Sequence, residues 1–402
     1  MRKTTGFLAP AVLAAFVNVA YAQSNVTLYG VLDEGMNFIN NVPNGTPNVG
    51  ARKYYLDSTT GMFGSRWGMK GIEDLGGGLK AVFTLESGIN LNNGAAAQGG
   101  LAFGRQALVG LSSASYGSIT LGRQYDMVVN FVQPVSMNGY FSGNAFQHPG
   151  DIDNLGNTYR TNNTIKYASP SFSGLTFGAE TSIGGVPGNA SALGGYSLGA
   201  GYARGPLTLG AGYMYFKDPD GSVAPNTGGG PSTGFFNGNG TTSTFGSLNS
   251  AYQTATAYQV VATGGTYALG SALIGVAWSN VQYGNLQSAK LVGKAAHFND
   301  VEVGVRYTVT PSLFVGGAYN YTKGADITRT DGVNVGNQHY NQFSLMADYS
   351  LSKRTDVYVQ GAFQQASGKS STGANAVANI ANFGDSSTSR QTLVRLALRQ
   401  KF

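Results

Sequence analysis

Few side chains in this sequence are spaced for bond-making chemistry. The three histidines, His148, His297 and His339, fall in separate loops or strand starts and show none of the short spacings that bring two ligands to one metal, so each reads as solvated. There is no cysteine, which removes disulfides and thiolate metal sites. The pentapeptide "SGKSS" from Ser367 looks like the end of a phosphate-binding loop, but Phe363 stands where the first glycine must be. Catalysis would need a serine or aspartate that only the fold brings beside a histidine.

The charged residues are placed more regularly. In "TLVRLALRQKF", Thr392 to Phe402, the apolar Val394, Leu396, Leu398 and Phe402 alternate with Arg395, Arg399 and Lys401. Alternate residues of a strand point to opposite faces, so this segment has one greasy face and one basic face. "GSRWGMKG" divides Trp67 and Met69 from Arg66 and Lys70 in the same way. "LKAVFTLES" sets Leu79, Ala81, Phe83 and Leu85 against Lys80, Thr84 and Glu86. The fixed charge of this chain therefore sits on strands, and the strands must be arranged to give that charge a wet face.

Composition narrows the arrangement. Of 402 residues, 60 are glycine and only 11% are charged, against about 25% in an ordinary soluble domain. Arg2 and Lys3 precede an apolar run from Gly6 to Ala20, and Ala20-Tyr21-Ala22 offers a signal-peptidase site, so residues 1–22 are expected to be a cleaved leader. Removing Arg2 and Lys3 leaves 23 basic residues against 19 acidic ones, a net charge of +4. That is a mild excess without the dense basic runs of a nucleic-acid binder, and no nucleic-acid partner is expected.

Past residue 22 no apolar run approaches the roughly 20 residues of a membrane-spanning helix. Segments of about ten alternating residues recur instead, and sixteen can be read: near 26–36, 64–71, 79–87, 103–111, 118–128, 162–168, 175–183, 194–203, 207–217, 257–269, 272–283, 297–309, 312–322, 339–350, 355–365 and 390–402. Short links such as "RGP" from Arg204 and "TPS" from Thr310 alternate with long polar loops at 218–256, 325–338 and 367–389. A soluble two-sheet sandwich would also alternate along its strands, but it has no reason to put every long loop at one end. The pattern predicts an all-β fold: an antiparallel transmembrane β-barrel of 16 strands, with Leu396 and Leu398 toward lipid and Arg395 and Arg399 toward a watery lumen.

"SNVTLYGVLDEG", "GSRWGMKGIEDLGGGLKAVFTLESG", "FGRQALVGLSSASYGSITLGRQYD" and the terminal phenylalanine, in that order, resemble the general porins of Gram-negative outer membranes, particularly the beta-proteobacterial type, over essentially the whole mature chain. The resemblance implies a homotrimeric outer-membrane channel through which small hydrophilic solutes and ions diffuse passively, without a cofactor. Its surroundings would be membrane lipid and lipopolysaccharide. Phe402 resembles the signal read by the barrel-assembly machinery, with Gln400 a departure from that signal. The resemblance further implies that the third external loop, about Asp126 to Asn162, folds into the barrel. Basic wall residues would then face acidic ones across a constriction: Arg66, Lys70, Arg105, Arg123 and Arg160 on the wall, against Asp33 and Glu86 from strands and Asp126, Asp151 and Asp153 from the loop. Tyr140, Phe141 and Phe146 are available to pack that loop. It lacks the "PEFG" tetrapeptide of some general porins, and "QPVSMNG" stands in its place. The expected behaviour is a weak to moderate anion preference. A substrate-specific channel would differ by saturable, ligand-blocked conductance, and a barrel-borne enzyme or adhesin by forming no large stable pore.

Overall fold

The structure is a computed structural model that describes residues 25–46, 49–62, 64–189, 192–219, 235–236 and 247–402; the leader read at 1–22 lies outside them. Strand follows strand along the chain: β1 (Asn25–Pro43), β2 (Gly50–Asp57), β3 (Arg66–Gly76), β4 (Leu79–Gly88), β5 (Gln106–Ser113), β6 (Gly117–Gln124), β7 (Thr161–Ala168), β8 (Leu175–Ser182), β9 (Gly195–Arg204), β10 (Leu207–Lys217), β11 (Ala255–Leu269), β12 (Ala272–Leu286), β13 (Ala296–Thr310) and β14 (Leu313–Gly324). A two-residue hairpin, β15 (Ile327–Thr328) with β16 (Asn334–Val335), decorates a loop before β17 (His339–Ser350), β18 (Thr355–Ser367) and β19 (Arg390–Lys401) complete the series.

Neighbouring wall strands pair antiparallel, with β14 pairing to β17 past the small hairpin and β2 and β3 both pairing to β1, and β19 returns to pair with β1, so a barrel of sixteen wall positions closes. Hydrocarbon offers no hydrogen-bond partner, and a closed ring is the one sheet without an unpaired edge. The seam runs from Ile39 opposite Leu393 down to Val31 opposite Lys401, and ends where Gly30 and Phe402 exchange both backbone hydrogen bonds at 3.1 Å. The links at 77–78, 114–116, 169–174, 205–206, 270–271, 311–312 and 351–354 are short and lie at one end; the long loops lie at the other.

The alternation expected of β19 is present. Val394, Leu396 and Leu398 are exposed on the outer face, and Leu393, Arg395, Ala397 and Arg399 point inward and are buried. The inner face is drier than a simple lumen requires. Arg395 is 0% exposed, where a solvated arginine was expected: its Nη2 donates to Asp33 Oδ1 at 2.9 Å, its Nε to the Tyr358 hydroxyl at 2.9 Å, and Nη1 lies 3.5 Å from Asp57. Arg399 is held by Asp356 at 2.8 Å and Asp348 at 3.4 Å.

One element is absent from the sequence reading. The second wall position is filled by two strands rather than one, because β1 pairs with β3 over its first half (Asn25 opposite Ile72) and with β2 over its second (Pro43 opposite Gly50). Between them the chain leaves the wall at Asp57, whose carboxylate accepts from the backbone N–H of Thr59 and Thr60 at 2.9 and 3.1 Å, as an aspartate does at a tight turn. The excursion covers Asp33, which accepts the Met62 N–H at 3.0 Å, and so seals the Arg395 network from water.

Removing Arg395 leaves the buried carboxylates of Asp33 and Asp57 without the cation they share. Breaking a buried pair of this kind costs about 3–5 kcal/mol. Arg395→Met is therefore expected to lower clearly the urea midpoint at which the folded, unboiled gel band disappears, and Asp33→Asn in the same chain should recover part of the loss. An unchanged midpoint for the single variant would show that the network is not holding the wall.

Candidate functional site

The segment 125–160, the third long loop, turns into the barrel and lies against the inner wall. Asp126 starts it by capping the short helix Met127–Phe131, its Oδ1 accepting the Val129 N–H at 3.0 Å. The helix lies flat because the wall beneath it lacks side chains. A Cβ at Gly210 would stand 1.9 Å from the Phe131 carbonyl oxygen, and one at Gly199 would stand 2.4 Å from the Phe131 ring. Farther on, the Tyr140 and Phe141 rings cover the glycines of β12, β13 and β14, and Phe141 stacks on Phe146 at 4.5 Å. Arg306 donates to the Tyr140 carbonyl at 2.9 Å, Gln360 to the Ser142 carbonyl at 2.8 Å and Ser344 to the Ala145 carbonyl at 2.5 Å. The loop backbone is satisfied by the wall, as burial requires.

The far end of the loop is tied by charge. His148 Nδ1 lies 2.6 Å from Asp153 Oδ2 and its Nε2 2.8 Å from Glu302 Oε2 on β13, while Ser279 of β12 donates to Asp153 at 2.6 Å. Burial alone would lower the pKa of His148; the charges of Asp300 and Asp153 outweigh it and raise it. The reading of His148 as a solvated loop histidine is thus corrected: it is 3% exposed and paired on both nitrogens. The residues that hold it, Glu302 and Asp300, lie about 150 positions away on a strand, and nothing in the local sequence announces them.

The predicted acidic residues of the loop are all buried within it. Asp126 also accepts from Asn154 at 2.7 Å. Asp151 accepts the Gly156 and Thr158 N–H groups at 2.6 and 3.0 Å, and burial followed by the nearby Asp153 charge pushes its pKa up to about 7. Asp153 belongs to the His148 tie. Asp33 belongs to the Arg395 network. None of these four has exposed surface facing an opening.

The predicted basic residues are gathered on the opposite part of the wall, around one carboxylate. Glu86 on β4 accepts from Arg105 Nε at 2.6 Å, the Tyr29 hydroxyl at 2.9 Å and the Tyr125 hydroxyl at 3.0 Å, and lies 3.8 Å from Arg66. Tyr29 reaches it across Gly68, where a Cβ would sit 2.8 Å from the tyrosine oxygen. Arg160 stands over the Tyr125 ring at 5.9 Å and Arg105 over the same ring at 6.0 Å. Burial, then the charge of Arg105, pushes the Arg160 pKa down to about 9. Arg123 sits at a bulge between Gly122 and Gln124 and donates to the Gly104 carbonyl at 2.8 Å and to Asn162. Water reaches this cluster: the Arg66 side chain keeps 23% of its surface and Arg105 12%. Lys70 shares their face but stands apart, exposed, with its ammonium 5.4 Å from the Tyr29 ring. The structure thus brings Arg66, Arg105, Arg123, Arg160 and Glu86 together and leaves Lys70 and the four aspartates outside the group.

Gly195-Tyr196-Ser197-Leu198-Gly199 has the letters of a hydrolase nucleophile turn, which must be a sharp strand-to-helix elbow. Here it runs flat inside β9, and Ser197 Oγ accepts the Met127 N–H at 2.9 Å.

A closed barrel with an apolar outer face, an inward loop and a one-sided basic wall defines the class as a membrane channel scaffold. The Gram-negative porin family model matches residues 9–369, and the chain belongs to that family, as an integral protein of the outer membrane. It is 38% identical over 232 residues to an outer membrane porin protein of Bordetella pertussis, covering 53% of this chain and 59% of the relative. It is 35% identical over 232 residues to outer membrane porin protein 32 of Delftia acidovorans, covering 54% and 61%. The matches thus span only about three-fifths of those curated relatives. Its fold resembles the anion-selective porin from Comamonas acidovorans with a TM-score of 0.67 at 23% identity, covering 94% of this chain and all of that one.

If the bare glycine wall is what lets the loop lie inside, a side chain there must displace it. Gly210→Val is expected to give larger and noisier single-channel conductance while the barrel still forms. Unaltered conductance in a folded variant would mean that the loop is held by its far end alone.

Proposed function

We propose that this chain is a general diffusion channel of the outer membrane, passing small hydrophilic solutes and ions down their gradients with a modest preference for anions. The observation that carries this reading is the cluster of Arg66, Arg105, Arg123 and Arg160 around the single carboxylate of Glu86, beside the loop that narrows the lumen. Fixed charge lining a narrow passage sets which ions enter. At physiological ionic strength the Debye length is about 8 Å, so charges on the wall of a narrow passage are still felt at its centre. Lys70 adds a positive charge at a second depth on the same face. The buried aspartates Asp126, Asp151 and Asp153 act in this reading as the loop's internal fastenings rather than as the acidic side of the opening. Two observations favour a channel over an enzyme: the family, and the engagement of Ser197 with the loop backbone.

The proposal includes assembly as a homotrimer. Besides the family, it is supported by the outward-facing Glu34 on β1, whose carboxylate lies 3.4 Å from Asn92 of the second long loop. A carboxylate on that face is costly against hydrocarbon but tolerable in a polar contact between barrels. Phe402 serves insertion by covering the seam, with its ring over Gly30.

Two measurements test these readings. With a potassium chloride gradient across a planar bilayer, the zero-current potential should have the anion-selective sign, larger at low salt, and Arg105→Glu should reduce or reverse it. A cation-selective sign for the unaltered protein would defeat the charge argument, whereas an unaltered potential in the variant would remove only Arg105. In mild detergent the mass should be that of three chains, falling to one after boiling; a single-chain mass before boiling would refute the trimer.

A further inference from the structure

We propose that the excursion through Met62 holds the turn of the inward loop in place, which makes Met62 a positioning residue for the width of the channel. The two segments meet backbone to backbone. A Cβ built on Gly143 would stand 3.1 Å from Met62 Cα and 2.8 Å from Gln360 Nε2, so the loop runs in a slot between the excursion and β18. Only glycine suits the slot, because Gly143 also lies at φ +111°, a conformation that side chains disfavour. Beside it Ser142 is held at φ +66°, its carbonyl accepting from Gln360 at 2.8 Å. Met62 itself is buried in the apolar cluster that joins Phe141, Ala145 and Phe146 of the loop to Tyr358 and Leu393 of the wall.

What fixes Met62 is the dry network of the seam. Its N–H donates to Asp33 Oδ2 at 3.0 Å and to the Tyr358 hydroxyl at 3.2 Å, and both of these partners bond Arg395. Gly61 lets the backbone lie on that carboxylate, since a Cβ there would stand 2.4 Å from Asp33 Oδ1. The neck of the excursion is closed as well: the Ser65 N–H donates to the Ser58 carbonyl at 2.8 Å, and Ser65 Oγ accepts the Asp33 N–H at 2.9 Å. Bonded at neck and middle, the excursion is a fixed stop. An interior packed to crystal-like density has no slack to take up, so a stop in contact with the loop limits how far the loop can shift. A chain of direct contacts thus runs from Arg395 through Asp33 and Met62 to Gly143, and the place of the constricting loop depends on a charge network that lies dry behind it. The proposal rests on the diffusion reading in one respect, that solutes pass beside the loop.

The test uses the whole protein, confirmed as folded by heat-modified migration. The chain has no cysteine, so Asn144→Cys, at the half-buried residue after Gly143, reports on the loop through its rate of reaction with a water-soluble maleimide. In that background Gly143→Ala forces the turn out of its slot and supplies the signature of a displaced loop: faster labelling, noisier single-channel conductance and a shifted zero-current potential. Met62→Ala should give the same signature, with labelling faster by about fivefold or more, the least expected when a buried contact is lost. Met62→Leu, which refills the volume, should behave as the native residue does. If Met62→Ala does not fold, Met62→Val carries the same expectation at smaller amplitude. A merely structural role would lower the urea midpoint of Met62→Ala and leave labelling and potential at native values, and that result overturns the proposal. A native protein that does not conduct would defeat the diffusion reading instead, and the labelling rates would still decide whether Met62 holds the loop.

Discussion

The constraint on which everything else depends is that hydrocarbon accepts no hydrogen bond. Each peptide in the wall must be paired sideways, so the first and last strands have to meet, and their pairing ends at Gly30 and Phe402. The split of the second wall position shows how strictly this holds. The chain leaves the wall for 58–65, yet β1 is paired on that flank above and below the gap, and Ser65 Oγ satisfies the Asp33 N–H at 2.9 Å within it. Departures from the ladder occur where a side chain stands in for the missing strand.

Closure also inverts the usual polarity of a protein. With the apolar face outward, polar and charged groups are forced inward, and there they divide into two regimes. Where the 58–65 excursion or the inward loop covers the wall, charge is neutralised in dry, multiply bonded networks, Arg395 with Asp33 and Asp57 under the first and His148 with Asp153 and Glu302 under the second. Where the wall is uncovered, Arg66 and Arg105 retain solvent and share one carboxylate. The first regime holds the shape; the second is open to water.

The wall was readable because its period is two. Each strand repeats a contrast, Leu396 against Arg395 or Trp67 against Arg66, and even a ±2-residue error in a boundary leaves the face assignment intact. The basic cluster was suggested by the resemblance rather than by the period, and Arg66, Arg105 and Arg123 lie on or beside neighbouring strands. What the period cannot carry is depth. Arg395 and Arg66 have the same sequence signature, and only the placement of loops makes one dry and the other wet. The loop contacts were unreadable because they join residues 120 to 200 positions apart, such as Asp153 with Ser279 and Ala145 with Ser344. β2 was missed because "GARKYYLD" puts Arg52 and Lys53 side by side and obscures its alternation, while Tyr54 and Leu56 face outward.

The division inside the barrel changes how net charge should be used. The net charge of +6 counts every carboxylate equally, yet Asp33, Asp126, Asp151 and Asp153 are fully buried or nearly so, and their oxygens are engaged in internal contacts. Their field at an uncovered surface is largely balanced by the donors around them. Arg66 and Arg105, by contrast, retain water contact, and with Arg123 and Arg160 they outnumber Glu86 four to one. A local excess of this size in a confined aqueous space has more effect on an ion than the same number spread over a surface, because low-dielectric walls focus the field along the passage. In the proposed channel the loop would act on charge in two ways, narrowing the path and sequestering acidic groups that would otherwise dilute a positive wall, so that selectivity would follow from where carboxylates are hidden as much as from where arginines are placed.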